Sequence, residues 1–203
     1  LNTRGFQIGG TIGSKFSFYT SAYENQALFP AYLQTYINKQ KIIPSQTNDN
    51  FGPSRTIKDY SYVATNLSYT PNKYLNITLG QDKNFIGDGY RSMLLSDVAT
   101  NYPFLKLTGT LGRVQYMTMW AQFQDLTAPQ FSYDNGFRKK WGVFHYLDWN
   151  VNNKFSVGFF DAVIWQDADS TGKRGFDFRY VNPLIFLRPV EGQNGSPDNA
   201  LIG

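Results

Sequence analysis

Residues 75 to 80, LNITLG, carry an apolar side chain at every second position: Leu75, Ile77 and Leu79 alternate with Asn76, Thr78 and Gly80. A two-residue period sends the two sets to opposite sides of a β-strand, which the 3.6-residue repeat of a helix cannot do. The same period recurs where Phe16, Phe18 and Thr20 oppose Ser17 and Tyr19, and where Leu105 and Leu107 oppose Lys106 and Thr108. A chain built from such segments is restricted to sheets with two chemically different faces.

Read in order, residues 4–12 and 14–24 form two strands joined at Gly13. Leu28, Phe29, Tyr32, Leu33, Tyr36 and Ile37 recur at helical spacing, with Pro30 suited to a first turn, and predict one short helix near 28–38 that packs against a wall. Residues 39–58 read as loop. Strands at 59–70 and 73–82 are joined by Thr70-Pro71-Asn72-Lys73. Strands at 103–110 and 112–124 meet between Gly109 and Gly112, and those at 138–149 and 153–165 meet at Asn150-Val151-Asn152-Asn153. A ninth is expected at 175–187, where Phe176 and Phe178 oppose Asp177 and Arg179. The expectation is an all-β chain, an antiparallel up-and-down meander of about nine strands forming a single domain over 1–203.

Links after the odd-numbered strands are short and links after the even-numbered ones are long. In a meander, all short links then lie at one end, the asymmetry of outer-membrane β-barrels. Ten tilted residues suffice to cross a bilayer as a strand. Aromatic residues make up 17% of the chain, yet the mean hydropathy is -0.40, as expected when lipid-facing and water-facing residues alternate. A soluble up-and-down barrel shares the pattern. No apolar run reaches the roughly 18 residues of a membrane-spanning helix. Tyr74, Trp149, Trp165 and Tyr180, at strand ends, read as interfacial belts or as core packing. The first residue is Leu1, bacterial single-chain barrels have even strand counts, and the residues from 188 to 203 show no closing strand. These observations predict a fragment of a longer transmembrane barrel whose exposed edges make it prone to aggregate alone.

The densest group of hydrogen-bonding side chains is the long connection Gly80–Pro103, GQDKNFIGDGYRSMLLSDVATNYP. Phe85, Ile86, Met93, Leu94 and Leu95 argue that it packs, and the glycines around Asp88 permit a tight turn. The ligand-binding candidates are Asp82, Lys83, Asn84, Asp88, Tyr90, Arg91, Ser92 and Asp97, joined by Arg188 near Glu191. Carboxylates and amides suit sugar hydroxyls, Arg91 and Lys83 suit an acidic sugar or phosphate, and Tyr90 offers a face to a pyranose. A competing reading makes Asp82, Lys83, Arg91 and Asp97 an ion network that pins the loop. Asp82, Asp88 and Asp97 allow a glycosidase pair on paper, but spacing alone does not supply a raised-pKa acid. His145 is the single histidine and lies mid-strand, where a hydrogen-bonded wall residue is expected. With no cysteine and one histidine a transition-metal site is not expected, and the aspartates of 167–169 lack a calcium-loop motif. The charge of +4 arises from scattered residues and gives no nucleic-acid track.

The segments DYSYVATNLSYTPNKYLNITLGQDKNFIGDGYRSMLLSD, NYPFLKL, FRYVNPLIFLRPVE and GSPDNALIG resemble the Bacteroidetes branch of the Wzi-type capsule assembly family, which includes gliding-motility barrel proteins. The likeness runs from about residue 20 onward, and Gly80 to Asp97 is its specific part. It implies an outer-membrane β-barrel longer than this chain, acting as a surface lectin in capsule attachment or assembly.

The reading is therefore a non-enzymatic outer-membrane barrel that binds capsular or extracellular polysaccharide. Its expected partners are that glycan, outer-membrane lipid and surface-assembly or motility proteins, with no nucleic acid and no cofactor. Two alternatives stay open: a porin-like channel with residues 80–103 as constriction loop, and a soluble β-domain glycoside hydrolase.

Overall fold

The structure, a computed structural model, describes residues 1–46, 56–125, 128–131, 136–183 and 199–203. Eight long strands follow one another: β1 (Asn2–Ile12), β2 (Phe16–Leu28), β3 (Ile57–Asn72), β4 (Leu75–Asp82), β5 (Tyr102–Leu111), β6 (Val114–Asp125), β7 (Arg138–Asn152) and β8 (Phe155–Gln166). Two short strands, β9 (Ala168–Asp169) and β10 (Gly172–Lys173), pair with each other, and β11 (Asn199–Ile202) lies against β8. The nine-stranded sheet runs β1-β2-β3-β4-β5-β6-β7-β8-β11. Among the described residues the outermost strands, β1 and β11, have one neighbour each, so the sheet is open. The all-β meander with one short helix matches the sequence expectation.

The chain divides into two compact units, one of Leu1–Leu67 with Gly80–Pro103 and one of Ser68–Leu79 with Phe104–Gly203. In the first unit, β1 and β2 are joined by a turn at Gly13, whose φ of +62° suits a residue without a Cβ. Phe6 faces Ala22, Ile8 faces Thr20 and Ile12 faces Phe16 in the register, which gathers the apolar residues on one side. Gln7 faces Ser21 and Thr3 faces Asn25 on the other. The Thr20 and Thr65 hydroxyls, 3.0 Å apart, put the odd residues of β3, including Val63 and Leu67, on the apolar side. The even residues Lys58, Tyr60 and Ala64 are buried.

Helix α1 (Ala31–Gln40) explains part of that burial. It starts after Pro30, whose carbonyl accepts from Gln34 N at 3.0 Å, and ends at Lys41 in the left-handed region. Ile37 is fully buried and packs with Ile43, Ala27 and Tyr60, with Phe29 against them. This is the wall contact that the helical spacing predicts. The helix reaches two residues beyond 38, and β3 begins at Ile57, so the expected loop of 39–58 is shorter; its residues 47–55 lie outside the described ones.

In the second unit the β6–β7–β8 ladder is regular, with Thr118 facing His145 and His145 facing Asp161. One face carries Val143, Val163 and Trp165, packed with Tyr180, Trp120, Trp141 and Phe176. On the opposite face Phe144 lies 6.4 Å from Phe160 and 6.0 Å from Phe123 between ring centroids. Each buried ring contributes on the order of 2–3 kcal/mol.

Three expectations are corrected here. Residues 175–183 form no strand: Phe178–Val181 is a turn of 3-10 helix. Trp165 Nε1 donates to Gly175 O at 3.1 Å, Trp120 Nε1 donates to Tyr180 O at 3.0 Å, and the Tyr116 hydroxyl donates to Pro183 O. These carbonyls find side-chain partners, so this backbone is satisfied without a ladder. Asp177 draws in Arg174 and Arg179, which explains an alternation that only resembled a strand. Residues 184–187 of the expected strand lie outside the described residues. The last strand of the sheet is instead β11, in residues read as lacking one. Finally, Trp165 and Tyr180 are buried with ring centroids 4.7 Å apart at a 32° tilt, so they belong to the core and not to a belt, whereas Tyr74 and Trp149 are exposed.

Candidate functional site

The connection after β4 begins with a fixed base. Asp82, last residue of β4, accepts hydrogen bonds from the Tyr62 hydroxyl at 3.1 Å, Asn66 Nδ2 at 2.7 Å and Lys83 N at 2.8 Å. Tyr62 and Asn66 are even residues of β3, four apart, and so stand on the same side of the strand. Lys83 Nζ lies 5.5 Å from the centre of the Tyr62 ring and donates to Ser45 O. Burial holds the Lys83 ammonium below its ordinary range, and the carboxylates of Asp97 and Asp82 push the other way. Asn84 N donates to the Tyr102 hydroxyl at 3.2 Å.

Above the base the chain folds back on itself. Ile86 and Leu95 exchange backbone bonds, Ile86 N to Leu95 O at 3.0 Å and Leu95 N to Ile86 O at 3.4 Å. The Ser92 hydroxyl donates to Ile86 O and accepts from Leu94 N. Gly87 has a φ of +133° and lies so close to Ser92 that a Cβ there would sit 2.3 Å from its oxygen. The turn therefore requires glycine both for its backbone and for its space. Of the five apolar residues expected to pack this loop, Ile86 is buried and Leu94 and Leu95 are half-buried, while Phe85 and Met93 are exposed.

What projects is a short tip. Asp88 and Arg91 are exposed, Tyr90 is 89% exposed, and the Arg91 guanidinium lies 5.6 Å from the Tyr90 ring centre. An open tyrosine face with a cation beside it can stack on a sugar ring while the guanidinium meets a carboxylate or a hydroxyl pair.

The structure thus separates the sequence candidates. Asp82, Lys83, Asn84 and Ser92 hold the loop; Asp88, Tyr90 and Arg91 form the tip; Asp97 is exposed and close enough to act electrostatically on Lys83. The pinning network therefore includes Asp82 and Lys83 but not Arg91. Arg188 and Glu191 lie outside the described residues. Tyr62, Asn66, Ser45 and Tyr102 were missed by the sequence reading, and the shared side of Tyr62 and Asn66 on β3 was the available signal.

The other groups considered for chemistry are engaged elsewhere. His145 is fully buried, its Nδ1 lying 2.5 Å from Thr118 Oγ1 and 2.8 Å from the Tyr116 hydroxyl. Asp167 accepts from Trp141 Nε1 at 2.7 Å, and Asp169 accepts from the amide and hydroxyl of Thr171. Among the described residues no three acidic, histidine or cysteine side chains gather as a metal site. No helix of the described residues is long and apolar enough to cross a membrane, which leaves crossing by strands untouched. Comparison with protein-family models, curated proteins and solved structures returned no match.

Proposed function

We propose that this chain is a wall of an outer-membrane β-barrel that binds capsular or extracellular polysaccharide without turning it over, with Asp88, Tyr90 and Arg91 as the contact residues. The observation that carries the binding role is the exposed Tyr90 with Arg91 against it, raised on a loop whose base is fixed by three hydrogen bonds to Asp82. A preset tip loses little conformational entropy on meeting a flexible glycan.

The membrane address is supported by an inverted distribution of side chains. In the first unit Phe6 and Ile8 are each 54% exposed and Ile12 66%, on the face opposite the one that buries Lys58 and accepts the helix. In water an apolar row of this extent is costly, and in hydrocarbon it is the expected outer surface. The likeness to capsule-assembly barrels in the Gly80 to Asp97 stretch points the same way, and a role in capsule assembly or gliding motility is part of the proposal.

The test is affinity electrophoresis of the detergent-solubilised chain through gels containing purified capsular polysaccharide. Replacing Tyr90 and Arg91 together by alanine removes a stacking face and a charge-assisted contact, together worth roughly 2–3 kcal/mol, and should weaken retardation by roughly 30-fold or more. Unchanged retardation of the double variant would refute the tip as the contact.

A further inference from the structure

Each short turn of the second unit carries one basic residue and no acidic one: Lys73 between β3 and β4, Arg113 between β5 and β6, and Lys154 between β7 and β8. The Gly13-Ser14-Lys15 turn of the first unit repeats the arrangement. Lys73, Arg113 and Lys154 are far apart in the sequence, yet the meander returns to the same end after every second strand and brings them into one row. Successive turns lie two strands apart, about 10 Å at the usual strand spacing. Backbone bonds tie this end together, Thr110 N donating to Tyr74 O at 2.8 Å and Asn150 N to Arg113 O at 2.9 Å. Arg113 Nη1 donates to Val151 O at 2.8 Å, which uses one of the five guanidinium protons.

The charge at this end is one-sided. Lys73, Arg113 and Lys154 are all exposed, and none forms an ion pair with a described residue. Among the described acidic residues of the unit, Asp125, Asp167, Asp169 and Asp177 come at or beyond the far ends of β6 and β8, and Asp161 is buried at mid-strand opposite His145. Asp148 alone approaches the turns, opposite Gln115 in the β6–β7 register. It neighbours Trp149 along β7 and so stands on the other side of the sheet from that ring. Just inside the turns runs an apolar row: Leu111 faces Val114, Val114 faces Trp149 and Trp149 faces Val157, which puts all four on one side. Leu111 is 73% exposed and Trp149 45%. A tryptophan at the margin of an apolar surface, with cations just beyond it, is the profile of protein at a bilayer interface, where the ring lies among headgroups and the charges reach phosphates.

We infer that this end of the second unit is a seat for anionic phospholipid headgroups, with lipid phosphates on Lys73, Arg113 and Lys154 and acyl chains along the row from Leu111 to Val157. The inference rests on the membrane reading proposed above and adds to it the class of lipid and the residues that select it. A zwitterionic headgroup brings its own ammonium beside the phosphate, whereas an anionic one leaves the phosphate charge to be met by the protein. Cations that converge on one point suit a free phosphate. Cations spaced two strands apart in a row instead meet neighbouring headgroups of one leaflet.

Quenching of tryptophan fluorescence by brominated lipid reads this contact, because Trp149 is exposed while Trp120 and Trp141 are half-buried and Trp165 is buried. The full chain is reconstituted in phosphatidylcholine vesicles containing a minor fraction of brominated phosphatidylglycerol or of brominated phosphatidylcholine. At low salt the anionic lipid should associate roughly fivefold more strongly than the zwitterionic one, and the preference should fade as salt is raised. Lys73→Gln, Arg113→Gln and Lys154→Gln combined should bring the ratio close to one with both lipids still quenching, whereas the charge-preserving Lys73→Arg with Lys154→Arg should retain it. Tyr90→Ala with Arg91→Ala, in the connection after β4, should leave the ratio unchanged. Inorganic phosphate should lower it no more than chloride does at the same ionic strength. Equal association of the two lipids, a preference that survives the triple variant, or one displaced specifically by inorganic phosphate would overturn the inference and leave the membrane reading standing. Quenching by neither lipid would overturn both.

Discussion

Replacing Asp82 by alanine tests whether the loop is anchored at its base. The carboxylate accepts from Tyr62 at 3.1 Å, from Asn66 at 2.7 Å and from the Lys83 amide at 2.8 Å. All three donors are half-buried, so water replaces the lost acceptor only in part. At roughly 1 kcal/mol for each bond, with charge assistance offset by partial hydration, the loss is about 2–3 kcal/mol. The loss falls on the opening of the loop, because Tyr62 and Asn66 stay fixed in β3. Hydrogen exchange of the amides of Asn84, Ile86 and Leu95 reads that opening directly. Their exchange should accelerate by roughly 30- to 150-fold at about 1.4 kcal/mol per factor of ten, and Asp82→Asn, which keeps one carbonyl acceptor, should fall between. Tyr90→Ala should leave the same amides unchanged. Protection that survives Asp82→Ala, or that collapses with Tyr90→Ala, would show that the loop is held by something other than its base.

Gly87→Ala places a methyl 2.3 Å from the Ser92 oxygen at a φ of +133°, so it should destabilise the loop by at least about 2 kcal/mol, seen as faster proteolysis between 85 and 95. Phe144→Ala should cost about 3–5 kcal/mol in chemical denaturation, whereas Phe178→Ala, on an exposed ring, should change stability by less than about 0.5 kcal/mol. Asp177 is held at about 2, below its ordinary 3.8, first by its hydrogen bonds from the Arg179 side chain. A folded-state value below the unfolded one means stability present above pH 4 and lost as pH falls from about 4 to 2. Solvent screening at the exposed Arg179 keeps the effect small. In an acid titration followed by tryptophan fluorescence, Asp177→Asn should remove that part of the pH dependence.

The sheet was legible because its signal is local. Leu75, Ile77 and Leu79 announce a strand without reference to anything else, and the glycines at 13 and 112 mark turns by their own chemistry. The failures depend on distant partners. Phe176 to Arg179 alternates like a strand, but Trp120 and Trp165, 60 and 10 residues away from the carbonyls they bind, hold the backbone on either side of it at Tyr180 and Gly175. β11 is four residues that read as a tail until β8 supplies their ladder. Within the loop, the sequence marks a polar cluster correctly but cannot divide base from tip. The division is made by Tyr62 and Asn66, 20 and 16 residues before Asp82.

The absence of cysteine makes single-cysteine labelling clean in this chain. In intact cells expressing Tyr90→Cys or Ile8→Cys, a membrane-impermeant maleimide should label the first rapidly and leave the second unmodified until the membrane is dissolved. Equal labelling of both, or labelling of residue 8 alone, would contradict an account in which the apolar face meets lipid and the loop tip meets the medium.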